Sequence, residues 1–175
     1  MKVGFVGVGN MGGPMCRNII RNTNHGVVVR DPNPDAAKLC VDLGARAAGS
    51  VAELAAECEV VITSLAMPRI VEEVALGADG VAANAKPGTV YIDLSTNSPA
   101  TARKLAEGMA AKGVRMLEAP VSGGTARATD GTIVIMVGGD ADLFEQQLPL
   151  LKSFSGEVVH VGGVGMGSTA KLINN

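Results

Sequence analysis

Gly7, Gly9 and Gly12 stand in G-x-G-x-x-G spacing within the stretch Lys2-Val3-Gly4-Phe5-Val6-Gly7-Val8-Gly9-Asn10-Met11-Gly12-Gly13. The spacing suits a dinucleotide. The first glycine permits a tight turn, the second lets backbone approach a pyrophosphate, and the third lets a helix pack close to the strand before it. Free N–H groups at the helix start, those of Asn10 and Met11 among them, would then face the phosphates. Further on, the β-branched run Val27-Val28-Val29 ends at Arg30-Asp31 and is stopped by Pro32. An acid there accepts hydrogen bonds from the adenosine ribose hydroxyls and repels a 2′-phosphate, so Asp31 argues for NAD. Arg30 pulls the other way, since a guanidinium can stack on adenine or pair with a 2′-phosphate, and NADP stays possible. The plain alternative for Asp31 is a turn or helix-capping residue.

These residues need strands and helices to hold them, and the chain supplies both in alternation. A strand before Gly7 leads to an apolar-periodic helix over 11–20, and the second strand leads to a helix over 34–43 closed by Gly44. Residues 45–47 form a short strand, and Ser50 caps a helix over 51–57 with Glu53 three residues on. Strand 60–63 follows. Leu65, Ala66 and Met67 lie past its carboxyl end, where parallel sheets bind ligands, so their backbone is expected to line the adenosine. Then come a helix over 68–76, a loop over 77–88, strand 89–94, a helix from 99 through 112, strand 115–119, a loop over 120–124 and strand 133–137. A helix over 140–153, a strand over 157–161, a glycine-rich turn over 162–167 and a helix from Ser168 complete the chain. Strand-helix alternation of this length predicts an α/β fold, a Rossmann-type doubly wound and mostly parallel sheet.

Composition agrees. The 175 residues are 47% hydrophobic with 2% aromatic, so the core must be built from Val, Ile, Leu, Ala and Met, as in buried parallel sheets. A net charge of −2 with no basic run gives no footprint for nucleic acid or an anionic membrane. No apolar run approaches a membrane span, and the first strand begins at residue 2, which leaves no room for a signal peptide; a cytoplasmic protein is expected. Cys16, Cys40 and Cys58 lack metal or redox spacing and read as buried free thiols. His25 and His160, which flank strands, read as structural.

Four ordered stretches together resemble a known family. Gly7-Val8-Gly9-Asn10-Met11-Gly12, Asp93-Leu94-Ser95-Thr96 with Pro99, Ala119-Pro120-Val121-Ser122-Gly123-Gly124, and Gly163-Val164-Gly165 followed by Lys171-Leu172-Ile173-Asn174-Asn175 are similar to the signatures of the β-hydroxyacid dehydrogenases. The resemblance implies a dinucleotide-binding domain over 1–167 and the start of an interdomain helix over 168–175, with an all-helical domain to follow. It implies Lys171 as the acid/base, Asn175 as a substrate contact, Ser122, Gly123 and Gly124 as the carboxylate anchor, and Thr96 as a contact on the nicotinamide side. A lysine works as a base only where burial or nearby positive charge favours its neutral form, which a site between two domains could supply. A small hydroxy acid is the implied partner and a homo-oligomer the expected full-length assembly. The branch of 6-phosphogluconate dehydrogenase itself is disfavoured by Thr125-Ala126-Arg127-Ala128-Thr129.

Other readings use the same residues. Lys171 could be a solvated helix side chain, Ser122-Gly123-Gly124 a turn, and Ser95-Thr96 a helix cap. A non-catalytic dinucleotide-binding module would keep the glycines and have no need of Lys171. A methyltransferase would account for Asp31 but for neither the 122–124 loop nor the Lys171 helix.

Overall fold

The computed structural model describes residues 1–175. Its strands are β1 Lys2–Val6, β2 Gly26–Arg30, β3 Arg46–Ala47, β4 Val60–Thr63, β5 Val90–Asp93, β6 Arg115–Glu118, β7 Val121–Ser122, β8 Val134–Gly139 and β9 Glu157–Gly162. Its helices are α1 Gly12–Asn22, α2 Pro34–Val41, α3 Val51–Glu57, α4 Pro68–Leu76, α5 Val81–Asn84, α6 Pro99–Ala110, α7 Gly124–Asp130, α8 Ala141–Lys152 and α9 Met166–Asn174. Several helix starts are fixed locally: Asn33, Ser50, Ser98 and Asp140 each accept a backbone N–H two or three residues on, which satisfies donors the first turn cannot pair.

The sheet runs β3-β2-β1-β4-β5-β6-β8-β7, with β9 on β8. β1 lies parallel between β2 and β4. The chain therefore winds outward from β1 in both directions, and the carboxyl ends of β1 and β4 open a crevice at the reversal. Helices cover both faces because alternate strand residues point to opposite sides. Val3, Phe5, Val29, Ile62 and Ile92 pack with Met15, Cys16 and Ile19 of α1 on one face. Val28, Val61, Tyr91 and Met116 pack with Leu54, Val71 and Leu105 on the other. All three cysteines are buried and unpaired by disulfides, and no helix is long and apolar enough to cross a membrane.

The structure departs from the sequence expectation in particular segments. The 120–124 loop contains β7 and leads into α7, and β8 runs antiparallel to β6 and β7. This was hidden because β7 has two residues and α7 buries Ala128 alone, leaving no apolar stripe to detect. The 77–88 loop includes α5. α9 begins at Met166, two residues before the expected Ser168, because its first turn is capped from outside the helix as described below. His160 lies inside β9 rather than beside it, stacked on Phe144 with ring centroids 5.0 Å apart.

Candidate active site

A cleft of about 1020 Å³ opens along the carboxyl ends of β1, β2, β4 and β5. Of the residues singled out from the sequence, Gly7, Gly9, Asn10, Met11, Gly12, Arg30, Asp31, Leu65, Ala66, Thr96, Gly123, Gly124 and Lys171 line it. The glycine turn is built as its spacing requires. Gly7 adopts φ +87° and donates its N–H to the Arg30 carbonyl at 2.9 Å. A Cβ on Gly12 would overlap the Gly7 carbonyl oxygen, so α1 is laid directly on the turn. A Cβ on Gly9 would meet nothing within 4 Å, so this backbone faces open cleft. α1 has no side-chain cap at its N-terminus; Gly13 donates to the Gly9 carbonyl and Pro14 has no N–H, which leaves the N–H groups of Met11 and Gly12 for an anion.

Asp31 reaches back across this turn. Its Oδ2 accepts the Val8 N–H at 2.9 Å and its Oδ1 accepts the Asn33 N–H at 2.8 Å. Arg30 turns its guanidinium onto the Asp31 carbonyl at 3.3 Å and lines the same wall. A bare glycine turn at a helix start, open space over Gly9 and an acid at the end of β2 together fit a dinucleotide.

The far wall was not foreseen. Ser50 and Val51 at the start of α3, Ile70, Glu73 and Val74 of α4, and the turn at 77–79 close the end of the cleft beside Asp31. The signal was present, since positions 70, 73, 74 and 77 share one helix face.

At the opposite end stand Gly123, Gly124 and the half-buried Lys171. Gly123 and Gly124 both have positive φ, 137° and 69°, and a Cβ on Gly124 would meet nothing within 4 Å. Three expected residues lie outside the cleft lining. Ser122 is half-buried, and its Oγ accepts from the exposed Asn174 Nδ2 at 3.1 Å. Met67 is exposed at the N-cap of α4. Asn175 is exposed one residue past the last turn of α9, where its N–H is bonded to the Lys171 carbonyl at 3.1 Å.

Two buried acids hold the floor, and neither was assigned a role from the sequence. Asp93 Oδ1 accepts the Thr63 hydroxyl at 2.8 Å and the Ser95 N–H at 3.1 Å, and Oδ2 accepts Asn97 Nδ2 at 2.6 Å. Ser95 Oγ in turn accepts the Leu65 N–H at 2.9 Å. The loops after β4 and β5, which present Leu65 and Thr96 to the cleft, are thus tied through one carboxylate. Burial pushes the Asp93 carboxyl up to about 6, and the bonds from Ser95, Thr63 and Asn97 pull against that rise. Glu118, 2% exposed at the end of β6, accepts from Gly165, Gly167 and Ser168 at the start of α9. A sequence shows an acid at a strand end, but not that its partners lie some fifty residues downstream.

Residues 2–162 match the family described as the NAD binding domain of 6-phosphogluconate dehydrogenase. The chain is 42% identical over 173 residues to 3-hydroxyisobutyrate dehydrogenase of Pseudomonas aeruginosa, covering 99% of this chain and 58% of that protein. It is 37% identical over 173 residues to 3-sulfolactaldehyde reductase of Escherichia coli, again covering 99% of this chain and 58% of the relative. The solved structure of Mycobacterium tuberculosis 3-hydroxyisobutyrate dehydrogenase with L-serine matches at TM-score 0.93 and 37% identity, over 99% of this chain and 58% of that one. The chain therefore spans 58% of the length of these relatives. With a family match over nearly all of its residues, the chain belongs to the β-hydroxyacid dehydrogenase family, as an NAD-binding domain of the 6-phosphogluconate dehydrogenase type.

Proposed function

We propose that this domain serves an NAD-dependent oxidoreductase that interconverts a small 3-hydroxy acid and its semialdehyde. The observation that carries the reading is that one cleft holds the glycine turn and Asp31 at one end and Gly123, Gly124 and Lys171 at the other. NAD bound along it would accept the hydride from the hydroxyl-bearing carbon. Lys171 Nζ takes the hydroxyl proton as the carbonyl forms and returns it in the reverse direction. The N–H groups of Gly123 and Gly124, which line the cleft, hold the substrate carboxylate, and the Ser122 hydroxyl, just outside the lining with its proton not used by Asn174, would reach it only by turning inward. Thr96 and Leu65, steadied through Asp93 and Ser95, wall the nicotinamide side. Asp31 and Glu73 put negative charge at the adenosine end of the cleft, which favours NAD over NADP.

The relatives' additional length would supply an all-helical domain that follows a dinucleotide domain over 1–167 and continues α9. Such a domain would cover Leu172 and Ile173, exposed at 51% and 81%, and finish the substrate pocket around Lys171. The test has two arms. The 175-residue chain should bind NAD in calorimetry and give no turnover, while a protein of the relatives' length should oxidise one or more members of a panel of 3-hydroxy acids. Failure of the chain to bind either nucleotide would remove the reading.

A further inference from the structure

The helix that carries Lys171 lies against β8, β9 and α6. Gly167 and Ser168 are its buried residues, its N-cap Gly165 has φ +97° and no side chain to cap with, and Leu172 and Ile173 beyond Lys171 are exposed. Met166 donates its N–H to the Gly163 carbonyl, and the donors of Gly165, Gly167 and Ser168 are met by one side chain from another element. Glu118 Oε1 accepts the Gly165 N–H at 2.5 Å and the Gly167 N–H at 2.9 Å, and Oε2 accepts the Ser168 N–H at 3.3 Å and the Ser168 hydroxyl at 2.5 Å. A carboxylate is suited to this place, because it accepts several bonds at once and opposes the positive end of the helix dipole.

The surroundings are shaped for this contact. A Cβ on Gly138 would overlap Glu118 Oε1 and meet the Gly167 nitrogen at 2.8 Å, and a Cβ on Gly167 would meet the Met136 carbonyl oxygen at 2.8 Å. Two glycines thus let the first turn of α9 lie against β8 while Glu118 fills the space between strand and helix. Ser168 and Lys171 are three apart and share a helix face, so the bonded turn is followed one turn later by the lysine that lines the cleft.

From this we infer that Glu118 is a positioning residue: it seats α9 on the end of β6 and so sets where the Lys171 amine stands in the cleft. The inference rests on the proposed role of Lys171 for its catalytic meaning, while the seating itself stands on the bonds to α9. Glu118→Gln keeps the shape and replaces one acceptor oxygen by an NH2 group that opposes the Ser168 N–H. Ser168→Ala removes the hydroxyl bond alone and serves as a milder variant should the first fail to fold.

The test is amide hydrogen exchange on the 175-residue chain, with NAD affinity measured beside it. In Glu118→Gln, protection over 166–175 is expected to fall about tenfold, the scale of losing a helix cap, while protection in β1 and α1 and the affinity for NAD stay within twofold. Ser168→Ala should give a smaller fall over the same residues. In a protein of the relatives' length, Glu118→Gln should lower kcat and leave KM for NAD unchanged, a split that general destabilisation would not produce. Unchanged protection of 166–175 in both variants, or equal loss across the whole chain, would overturn the inference. Lys171→Ala leaves the α9 anchor intact and tests the reaction alone, so the two ideas can fail separately.

Discussion

The Thr63 hydroxyl donates to Asp93 Oδ1 at 2.8 Å and stands 2.9 Å from the Tyr91 hydroxyl. A hydroxyl has one proton to give, so Tyr91 must be the donor to Thr63, and a directed chain runs Tyr91 to Thr63 to Asp93. Burial first and the Asp93 charge second hold the Tyr91 phenol well above its ordinary range, against the bond to Thr63. The three residues bind the ends of β4 and β5 together beneath the cleft, with an ionisable group as the last acceptor.

That acceptor makes stability depend on pH in an unusual direction for a carboxylate. Its folded value of about 6 lies above its ordinary 3.8, so its contribution is fully present below about pH 4 and is lost as pH rises through 6. The two values are about two units apart, which corresponds to about 3 kcal/mol across that window. The buried Asn97 Oδ1 has no partner, and a turn of that amide would offer the protonated acid an acceptor. Urea unfolding of the parent and Asp93→Asn between pH 4 and 7 should show the parent losing stability relative to the variant as pH rises. A pH-independent difference between them would place the titration elsewhere.

The two glycines of the turn should separate folding from binding. Gly9→Ala places its methyl in open cleft, so the melting temperature should hold while NAD affinity falls about tenfold or more, the methyl occupying the path of the pyrophosphate. Gly12→Ala drives a Cβ onto the Gly7 carbonyl and should lose about 1–3 kcal/mol of stability as well as binding. Melting curves and calorimetry on both variants check this, and equal stability loss in the two would contradict it.

Nucleotide preference should follow the end of β2. NAD is expected to bind about tenfold or more tightly than NADP, because the Asp31 carboxylate meets the added phosphate charge. Equal or tighter NADP binding in calorimetry would give control of the site to Arg30.

Lys171→Ala, in a protein of the relatives' length, should lower turnover by about 10²-fold or more while NAD affinity stays nearly intact. Single-turnover kinetics would read the loss directly in the chemical step. Near-normal turnover would take Lys171 out of the mechanism.

Much of this was legible in the sequence, for identifiable reasons. The strands at β1, β2, β4 and β5 announce themselves because residues such as Val61 and Ile62 face opposite covered layers and both must be apolar. The glycine turn is legible because its spacing encodes backbone contacts local to the segment. The buried acids were not, since the partners of Glu118 become neighbours only when α9 returns across β8. The α4 wall differs: the shared face of Ile70, Glu73 and Val74 is visible in the spacing, but the crevice that this face borders exists only in the fold. β7 and α7 were too short and too polar for periodicity to register.

The bond from the Val8 N–H to Asp31 bears on how a nucleotide would arrive. Because the chain's own carboxylate already clips the turn between Gly7 and Gly9, the ordering entropy of that backbone is met during folding and not at the encounter. A nucleotide should therefore meet a rigid seat. Association should proceed in one kinetic phase, without the slow step that loop ordering imposes, and loosening the clip should slow arrival before it hastens departure.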